Sequence, residues 1–323
     1  MSAGGTTTAA TVAPASAPAA AVRVTERLLD GPHGDLRVRV HEPAGTPVAG
    51  LVWAHGGAFY RGDLDMHEAD GVARHLAAHG VVVVTVDYSL VPSFEERAAL
   101  PGAGSGRTDV HFPVPSHELA SAFAWAAGAG LGVAPDAWSV GGASAGGNLA
   151  AGAALRLRDA VAGVDGVVPL PPGTVPVLPR SVVLAYPVLH RDLPPARDEL
   201  LAKVRSVSPG EGFPPARYRA MTDNYVGHDG DAGSPYAFPG GQDLRGLPPT
   251  LVLTSDRDAL RASGEAFAAE LAAAGSDVVL VREDATRHGH LNQPQDPGCA
   301  RSLARLTTFL TAPLVGSAHE PPA

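Results

Sequence analysis

The sequence is poor in cysteine, in basic charge and in long hydrophobic runs. Cys299 is its only cysteine, so no intrachain disulfide can form, and a cytoplasmic location fits, although a secreted bacterial enzyme without disulfides would look the same. Lys and Arg number 24 against 33 Asp and Glu, a formal net charge of −9 that argues against a nucleic-acid partner. The apolar run 81–86 has the length of a strand, so we predict no membrane span.

The chain is long enough for one large domain. It has 323 residues, of which 45% are hydrophobic, which allows a sizeable core. Residues 1–21 are mostly Ala, Pro and Thr without a charged side chain, and such a segment cannot bury enough surface to offset the entropy of ordering. We therefore predict disordered tails at 1–21 and 316–323 and a folded domain over 22–315.

Strand and helix patterns alternate along this domain. Two segments that alternate apolar and polar residues, 22–28 and 36–41, flank Gly31-Pro32-His33-Gly34 and predict a hairpin, and the apolar runs 49–54 and 81–86 predict buried strands. The later predicted strands are 137–140, 181–186, 250–254 and 278–281, and the predicted helices are 69–79, 116–127 with Ser116 as N-cap, 145–158, 262–274 and 299–310. This order predicts an α/β fold with a mostly parallel, eight-stranded sheet covered by helices on both faces.

The most informative stretch runs from Val140 to Ala150. A strand pattern stops at two glycines, a small-residue helix pattern follows, and Gly142-x-Ser144-x-Gly146 lies between them. This is the pattern of a nucleophile elbow, in which a serine on a strained turn needs small neighbours so that strand and helix can approach each other. A small-residue helix start after a buried strand is the alternative interpretation.

A serine nucleophile needs a base, and the base needs an orienting carboxylate. Asp256 and Asp258 follow a predicted strand, and His288 and His290 follow the last one, which gives the order Ser, acid, His of the α/β-hydrolases. Taken singly, either aspartate could cap a helix and either histidine could belong to a surface loop.

Backbone N–H groups that could stabilise an oxyanion are also present. His55-Gly56-Gly57 follows a predicted strand, and glycines there let N–H groups turn inward. The N–H of Ala145, just after the serine, would complete the set. A Gly-Gly turn without further meaning is the alternative.

Five ordered motifs between residues 49 and 311 resemble the hormone-sensitive-lipase-like branch (family IV) of the α/β-hydrolases, which comprises carboxylesterases and related deacetylases. They are His55-Gly56-Gly57-Ala58-Phe59, Asp87-Tyr88-Ser89-Leu90-Val91-Pro92, Gly142-Ala143-Ser144-Ala145-Gly146-Gly147-Asn148-Leu149-Ala150, Asp258-Ala259-Leu260-Arg261 and His288-Gly289.

The resemblance assigns roles to residues. It implies Ser144 as nucleophile, His288 as base and acid, and Asp258 as the orienting acid, since only Asp258 is followed by x-Leu-Arg. It also implies that Gly56, Gly57 and Ala145 are the oxyanion donors, and it implies a lid, which we place mainly in 187–247 with short helices near 198–204 and 215–225.

The chain departs from the family pattern near the site. Ala143 replaces the usual acid before the nucleophile, Ser89 replaces a frequent arginine, and His290 replaces the usual aromatic residue after His-Gly. We expect altered support around the elbow rather than lost activity, and a second imidazole close to the site. Aromatic residues between 213 and 238 could line an acyl pocket or hold the lid together.

These observations predict a serine hydrolase of small-molecule carboxylic esters, with a preference for short acyl chains that rests on the resemblance. An acyltransferase with the same triad and a non-catalytic ligand-binding protein on a hydrolase fold are the alternatives. No cofactor or metal is predicted. His75 and His79 lack a His-Glu-x-x-His pattern, and the glycine-rich stretch 102–106 lacks both a preceding strand and a Walker lysine. The sequence does not predict the oligomeric state.

Overall fold

The structure is a computed structural model that describes residues 21–94, 110–170, 174–207, 214–227 and 231–313. The two predicted tails, apart from Ala21, lie outside these residues, as do the glycine-rich stretch 102–106 and Phe213. No helix in the described ranges is long and apolar enough to cross a membrane.

An α/β sheet forms the centre of the fold, as predicted. Within the described ranges it has eight strands in the order β1-β2-β4-β3-β5-β6-β7-β8, with β2 antiparallel to both neighbours and β3 to β8 parallel. The strands are β1 Arg23–Gly31, β2 Gly34–Glu42, β3 Ala49–Ala54, β4 Val81–Val86, β5 Trp138–Ala143, β6 Val182–Ala185, β7 Thr250–Ser255 and β8 Val278–Glu283.

Burial explains the strand patterns in the sequence. Every residue of β3, β4 and β5 is buried, because these central strands are covered on both faces and must be apolar or small throughout. From Leu36 to Val40, β2 alternates buried apolar side chains with the exposed Arg37 and the partly buried Arg39, which fits a strand near the sheet edge with one wet face.

Helices cover both faces of the sheet. The helix α1 and the last helix, α7, pack on one face, and α2, α3 and α6 pack on the other. The helices are α1 Val72–Ala78, α2 Val114–Gly128, α3 Ala145–Val161, α4 Asp198–Val207, α5 Pro215–Val226, α6 Arg261–Ala273 and α7 Pro297–Thr311.

Two predicted helix starts are wrong. Helix α2 begins at Val114, and the predicted N-cap Ser116 is buried inside it, where its hydroxyl accepts a hydrogen bond from Arg156 Nε over 2.9 Å. Pro115 in the first turn already suits a helix start, so the helix extends past the serine towards the N-terminus. The helix predicted at 69–79 is a π-helical turn, His67–Gly71, followed by the shorter α1.

Segment 187–247, which we call the lid segment, contains the two predicted helices, α4 and α5. Three of its aromatic side chains, Tyr218, Tyr225 and Phe238, are buried in the domain core. Tyr225 stacks on Phe59 with ring centroids 3.9 Å apart and meets Phe238 edge to face. For Tyr218, Tyr225 and Phe238 the structure therefore favours a role in holding the lid segment to the domain.

Candidate active site

Ser144 lies on the turn between β5 and α3. Its φ of 54° is in the left-handed region, which is strained for a residue with a side chain, and its N–H donates to the carbonyl of Ala185 over 2.8 Å. A Cβ at Gly146 would lie 2.2 Å from the carbonyl oxygen of Ala54, and one at Gly142 would lie 2.3 Å from the backbone of Gly146. The spacing Gly-x-Ser-x-Gly is thus required by the close approach of strand and helix.

The three side chains predicted as a triad meet at the carboxyl ends of their strands. Ser144 Oγ and His288 Nε2 are 3.0 Å apart, and His288 Nδ1 is 2.7 Å from Asp258 Oδ2. The other carboxylate oxygen of Asp258 accepts from the N–H of Leu260 over 2.9 Å, which holds the acid in place. A Ser–His–Asp relay of this geometry can transfer a proton from the hydroxyl to the imidazole.

Asp258 also affects the tautomer and the pKa of His288. Because a carboxylate can only accept, Nδ1 carries the proton and Nε2 is left as the acceptor for the Ser144 hydroxyl. Partial removal from water lowers the pKa of His288, but the charge of Asp258, its hydrogen bond and the charge of Glu68 outweigh this, and the pKa is raised above 6.5. The side chain remains 35% exposed, so a substrate can reach it.

The backbone after β3 is the source of the candidate oxyanion donors. Gly57, Ala58 and Phe59 all have positive φ, so the loop turns sharply here. Within the described chain the N–H groups of Gly57 and Ala58 have no protein acceptor. Helix α3 begins at Ala145, so its first N–H also lacks an intrahelical acceptor.

Gly56 differs from the prediction. Its N–H donates to Glu68 Oε1 over 2.8 Å, so it is already engaged by a buried carboxylate. The N–H of Gly56 is therefore engaged in this structure, whereas the N–H of Ala58 has no protein acceptor in the described chain and is a further candidate donor; this depends on a loop conformation that a sequence motif does not reveal.

The two candidate acids, Asp256 and Asp258, have different partners in the structure. Asp256 is paired with Lys203 over 2.6 Å, and Arg261 also contacts it. Arg261 in turn binds Glu199 over 2.9 Å, so these pairs attach α4 of the lid segment to the end of β7. Asp256 thus binds a side chain of the lid segment, Lys203, while Asp258 lies within hydrogen-bond distance of His288.

His290 was predicted as a second imidazole close to the site. It is buried, and its two ring nitrogens are within hydrogen-bond distance of the hydroxyls of Ser255 (2.9 Å) and Ser302 (2.7 Å). Burial lowers the pKa of His290 to about 4, so it is neutral near pH 7. It contacts the ring of Tyr186, as His288 does, but it makes no hydrogen bond to the described triad.

No group of three or more His, Cys, Asp or Glu side chains in the described ranges is arranged to hold a metal ion. His79 Nδ1 lies 2.7 Å from the carbonyl oxygen of His75, an ordinary contact within one helical turn.

Two residues near the site were missed by the sequence argument. Glu68 is 2% exposed and hydrogen-bonds both Gly56 and Tyr186. Tyr186 follows β6 and presents its ring to His288, with centroids 5.1 Å apart. Neither belongs to a spacing that the sequence argument used, so only the fold reveals them.

The elbow makes a steric prediction. We expect Gly146→Ala to destabilise the protein by about 1–3 kcal/mol and to reduce esterase activity, because the new methyl group overlaps two backbone carbonyls that cannot move independently. Urea unfolding and initial rates on a p-nitrophenyl ester measure the two effects. Gly128→Ala is the control, since a Cβ there meets no atom within 4 Å; equal effects of the two substitutions would contradict the argument.

Comparisons with known proteins indicate the family and the fold. The profile of a family described as having the alpha/beta hydrolase fold matches residues 51–103 and 108–292. A carboxylic ester hydrolase of Mycobacterium tuberculosis, LipN, is 32% identical over 306 residues, which cover 91% of this chain and 71% of the relative. An acetyl esterase of Salmonella paratyphi B is 44% identical over 62 residues, 19% of each chain.

A solved structure is similar over the same extent. The esterase of Pyrobaculum calidifontis superposes with a TM-score of 0.71 at 32% identity, covering 90% of this chain and 85% of that one. The predicted class of enzyme, a hydrolase of carboxylic ester bonds, is the one that these relatives carry in their names. With a matching family profile and relatives 32% identical along nearly its whole length, the chain belongs to the hormone-sensitive-lipase-like branch of the α/β-hydrolases.

Proposed function

We propose that this protein is a serine carboxylesterase that hydrolyses short-chain acyl esters of small molecules through an acyl-enzyme intermediate. The observation that carries the proposal is the continuous hydrogen-bonded line from Ser144 Oγ through His288 to Asp258. The family membership supports the same reaction, since the similar proteins are named as esterases.

The first half of the reaction acylates the serine. His288 Nε2 takes the proton of Ser144 as Oγ attacks the ester carbonyl, and the imidazolium is stabilised by Asp258. The same proton then goes to the alkoxide of the leaving alcohol, the C–O bond of the ester breaks, and the acyl group stays on Oγ.

The second half repeats these steps with water. His288 removes a proton from water, which attacks the acyl carbonyl, and returns it to Ser144 Oγ as the carboxylic acid leaves. In both halves the tetrahedral oxyanion binds the free N–H groups of Gly57, Ala58 and Ala145. Fixed donors of this kind stabilise an oxyanion more than mobile water does, because they need no reorganisation.

The preference for short acyl chains is supported by the lid segment and by a relative. Tyr225 and Phe238 are packed into the core and so are not available to surround a long chain. The protein that shares 62 aligned residues is named an acetyl esterase, so its name states a two-carbon acyl group. A cytoplasmic location remains a prediction from the single cysteine.

The role of Asp258 makes a prediction about rate and pH. In the wild type kcat/KM should rise with pH with a midpoint above 6.5, because only neutral His288 can accept the serine proton and its pKa is raised. We expect Asp258→Asn to lower kcat on the order of 10³–10⁴-fold, since the acceptor that fixes the tautomer is lost. Steady-state hydrolysis of p-nitrophenyl acetate across pH measures both.

Asp256→Asn is the matched control. It changes a neighbouring buried carboxylate that binds Lys203 and Arg261 rather than His288, so we expect it to cost stability and to retain most of the wild-type kcat. Losses of the same size in the two variants would show that the acid had been assigned incorrectly.

The acyl preference is measured with a series of p-nitrophenyl esters from acetate to laurate. We expect the highest kcat/KM at six carbons or fewer. A maximum at laurate would overturn the inference about the lid segment without affecting the triad.

A further inference from the structure

Glu68 is a buried acid that the reaction described above does not use. Glu68 lies on the π-helical turn His67–Gly71 and is 2% exposed. It is not one of the three predicted triad residues. Burying a carboxylate is costly unless hydrogen bonds compensate it, so its partners indicate what it does.

The two carboxylate oxygens of Glu68 hold two different parts of the site. Oε1 accepts from the N–H of Gly56 over 2.8 Å, and Oε2 accepts from the hydroxyl of Tyr186 over 2.8 Å. Gly56 immediately precedes the candidate oxyanion donors, and the ring of Tyr186 meets His288 edge to face. One side chain thus connects loop 55–59 (the oxyanion loop) to Tyr186, the residue that packs on the candidate base His288.

The backbone around Glu68 holds a third part. Its N–H donates to Asn292 Oδ1 over 3.0 Å, and His67 Nδ1 lies 2.6 Å from the carbonyl oxygen of Leu291. Both contacts reach the segment that follows His288. The carbonyl of Glu68 accepts from Trp53 Nε1 over 2.7 Å, which attaches the turn to β3.

The charge of Glu68 also reaches the base. His288 is surrounded by Asp258, Glu68 and Arg61 as charged groups and by Tyr186, Ser144 and His290 as titratable or polar neighbours. Burial and the charge of Glu68 raise the pKa of Tyr186 well above its ordinary value, so its hydroxyl remains a donor to Glu68. The residue before the nucleophile, Ala143, is uncharged, so it adds no charge to those that act on His288.

We propose that Glu68 is a positioning residue of the esterase: it fixes the oxyanion loop through Gly56, holds Tyr186 against His288, and favours the imidazolium that forms during proton transfer. This inference rests on the proposed function. It assigns Glu68 no contact with the substrate.

The test compares pH profiles of kcat and kcat/KM for Glu68→Gln and wild type. Glutamine keeps the size and one acceptor but removes the negative charge that favours the imidazolium of His288, so the midpoint on the acid side should fall to lower pH. We expect kcat to fall on the order of tenfold, because small displacements of catalytic groups cost rate, while KM changes little.

Glu118→Gln is the matched control. Glu118 is also buried and holds a loop in the same way, accepting from the N–H of Ser89 over 2.6 Å and from its hydroxyl over 2.7 Å. We expect this variant to leave both the acid-side midpoint and kcat at wild-type values. If Glu68→Gln behaves like Glu118→Gln in these two readouts, the positioning role is overturned.

Tyr186→Phe decides the matter if Glu68→Gln does not fold. It removes one partner of Glu68 and should lower kcat severalfold at unchanged KM; a wild-type kcat would overturn the proposal. Ser144→Ala separates the two claims. Hydrolysis that survives Ser144→Ala contradicts the proposed function, whereas hydrolysis that Ser144→Ala abolishes but Glu68→Gln leaves unchanged contradicts only the role of Glu68.

Discussion

The imidazole of His288 lies between Ser144 and Asp258, with Nε2 3.0 Å from Ser144 Oγ and Nδ1 2.7 Å from Asp258 Oδ2. The proposed reaction depends on these two contacts. The three residues are 114 and 30 positions apart in the chain (258 − 144 and 288 − 258), so local structure alone cannot bring them together. They meet because β5, β7 and β8 run parallel and end at the same edge of one sheet.

The elbow provides the precision of this arrangement. Gly142 and Gly146 allow β5, β3 and α3 to approach so closely that a single methyl group would overlap the backbone. This approach holds Ser144 in a strained conformation and turns the start of α3 towards its hydroxyl. Glu68 connects three further parts of the site. Its buried carboxylate binds Gly56 in the loop after β3 and the hydroxyl of Tyr186, and its backbone N–H binds Asn292 in the segment after His288.

Much of this could be predicted from the sequence, for physical reasons. Buried central strands must be apolar on both faces, so the apolar runs in the sequence predicted the bounds of β3 and β4 as the structure has them. The elbow could be recognised in the sequence because only small residues fit at Gly142 and Gly146. The features that were missed depend on contacts distant in sequence. Serine is a common N-cap residue, but Ser116 lies inside a helix and accepts a hydrogen bond from Arg156. Gly56 belongs to the expected motif, but its N–H donates to Glu68. His290 lies near the triad, yet Ser255 and Ser302 engage its ring.

The account depends most on Ser144 carrying the acyl group, and trapping that intermediate tests it most directly. The protein is mixed with p-nitrophenyl acetate, quenched in acid within the first turnover, digested and analysed by mass spectrometry. We expect a burst of p-nitrophenol and the added mass of one acetyl group on the peptide that contains Ser144. Acetyl found only on other peptides, or a burst that persists in Ser144→Ala, would contradict it.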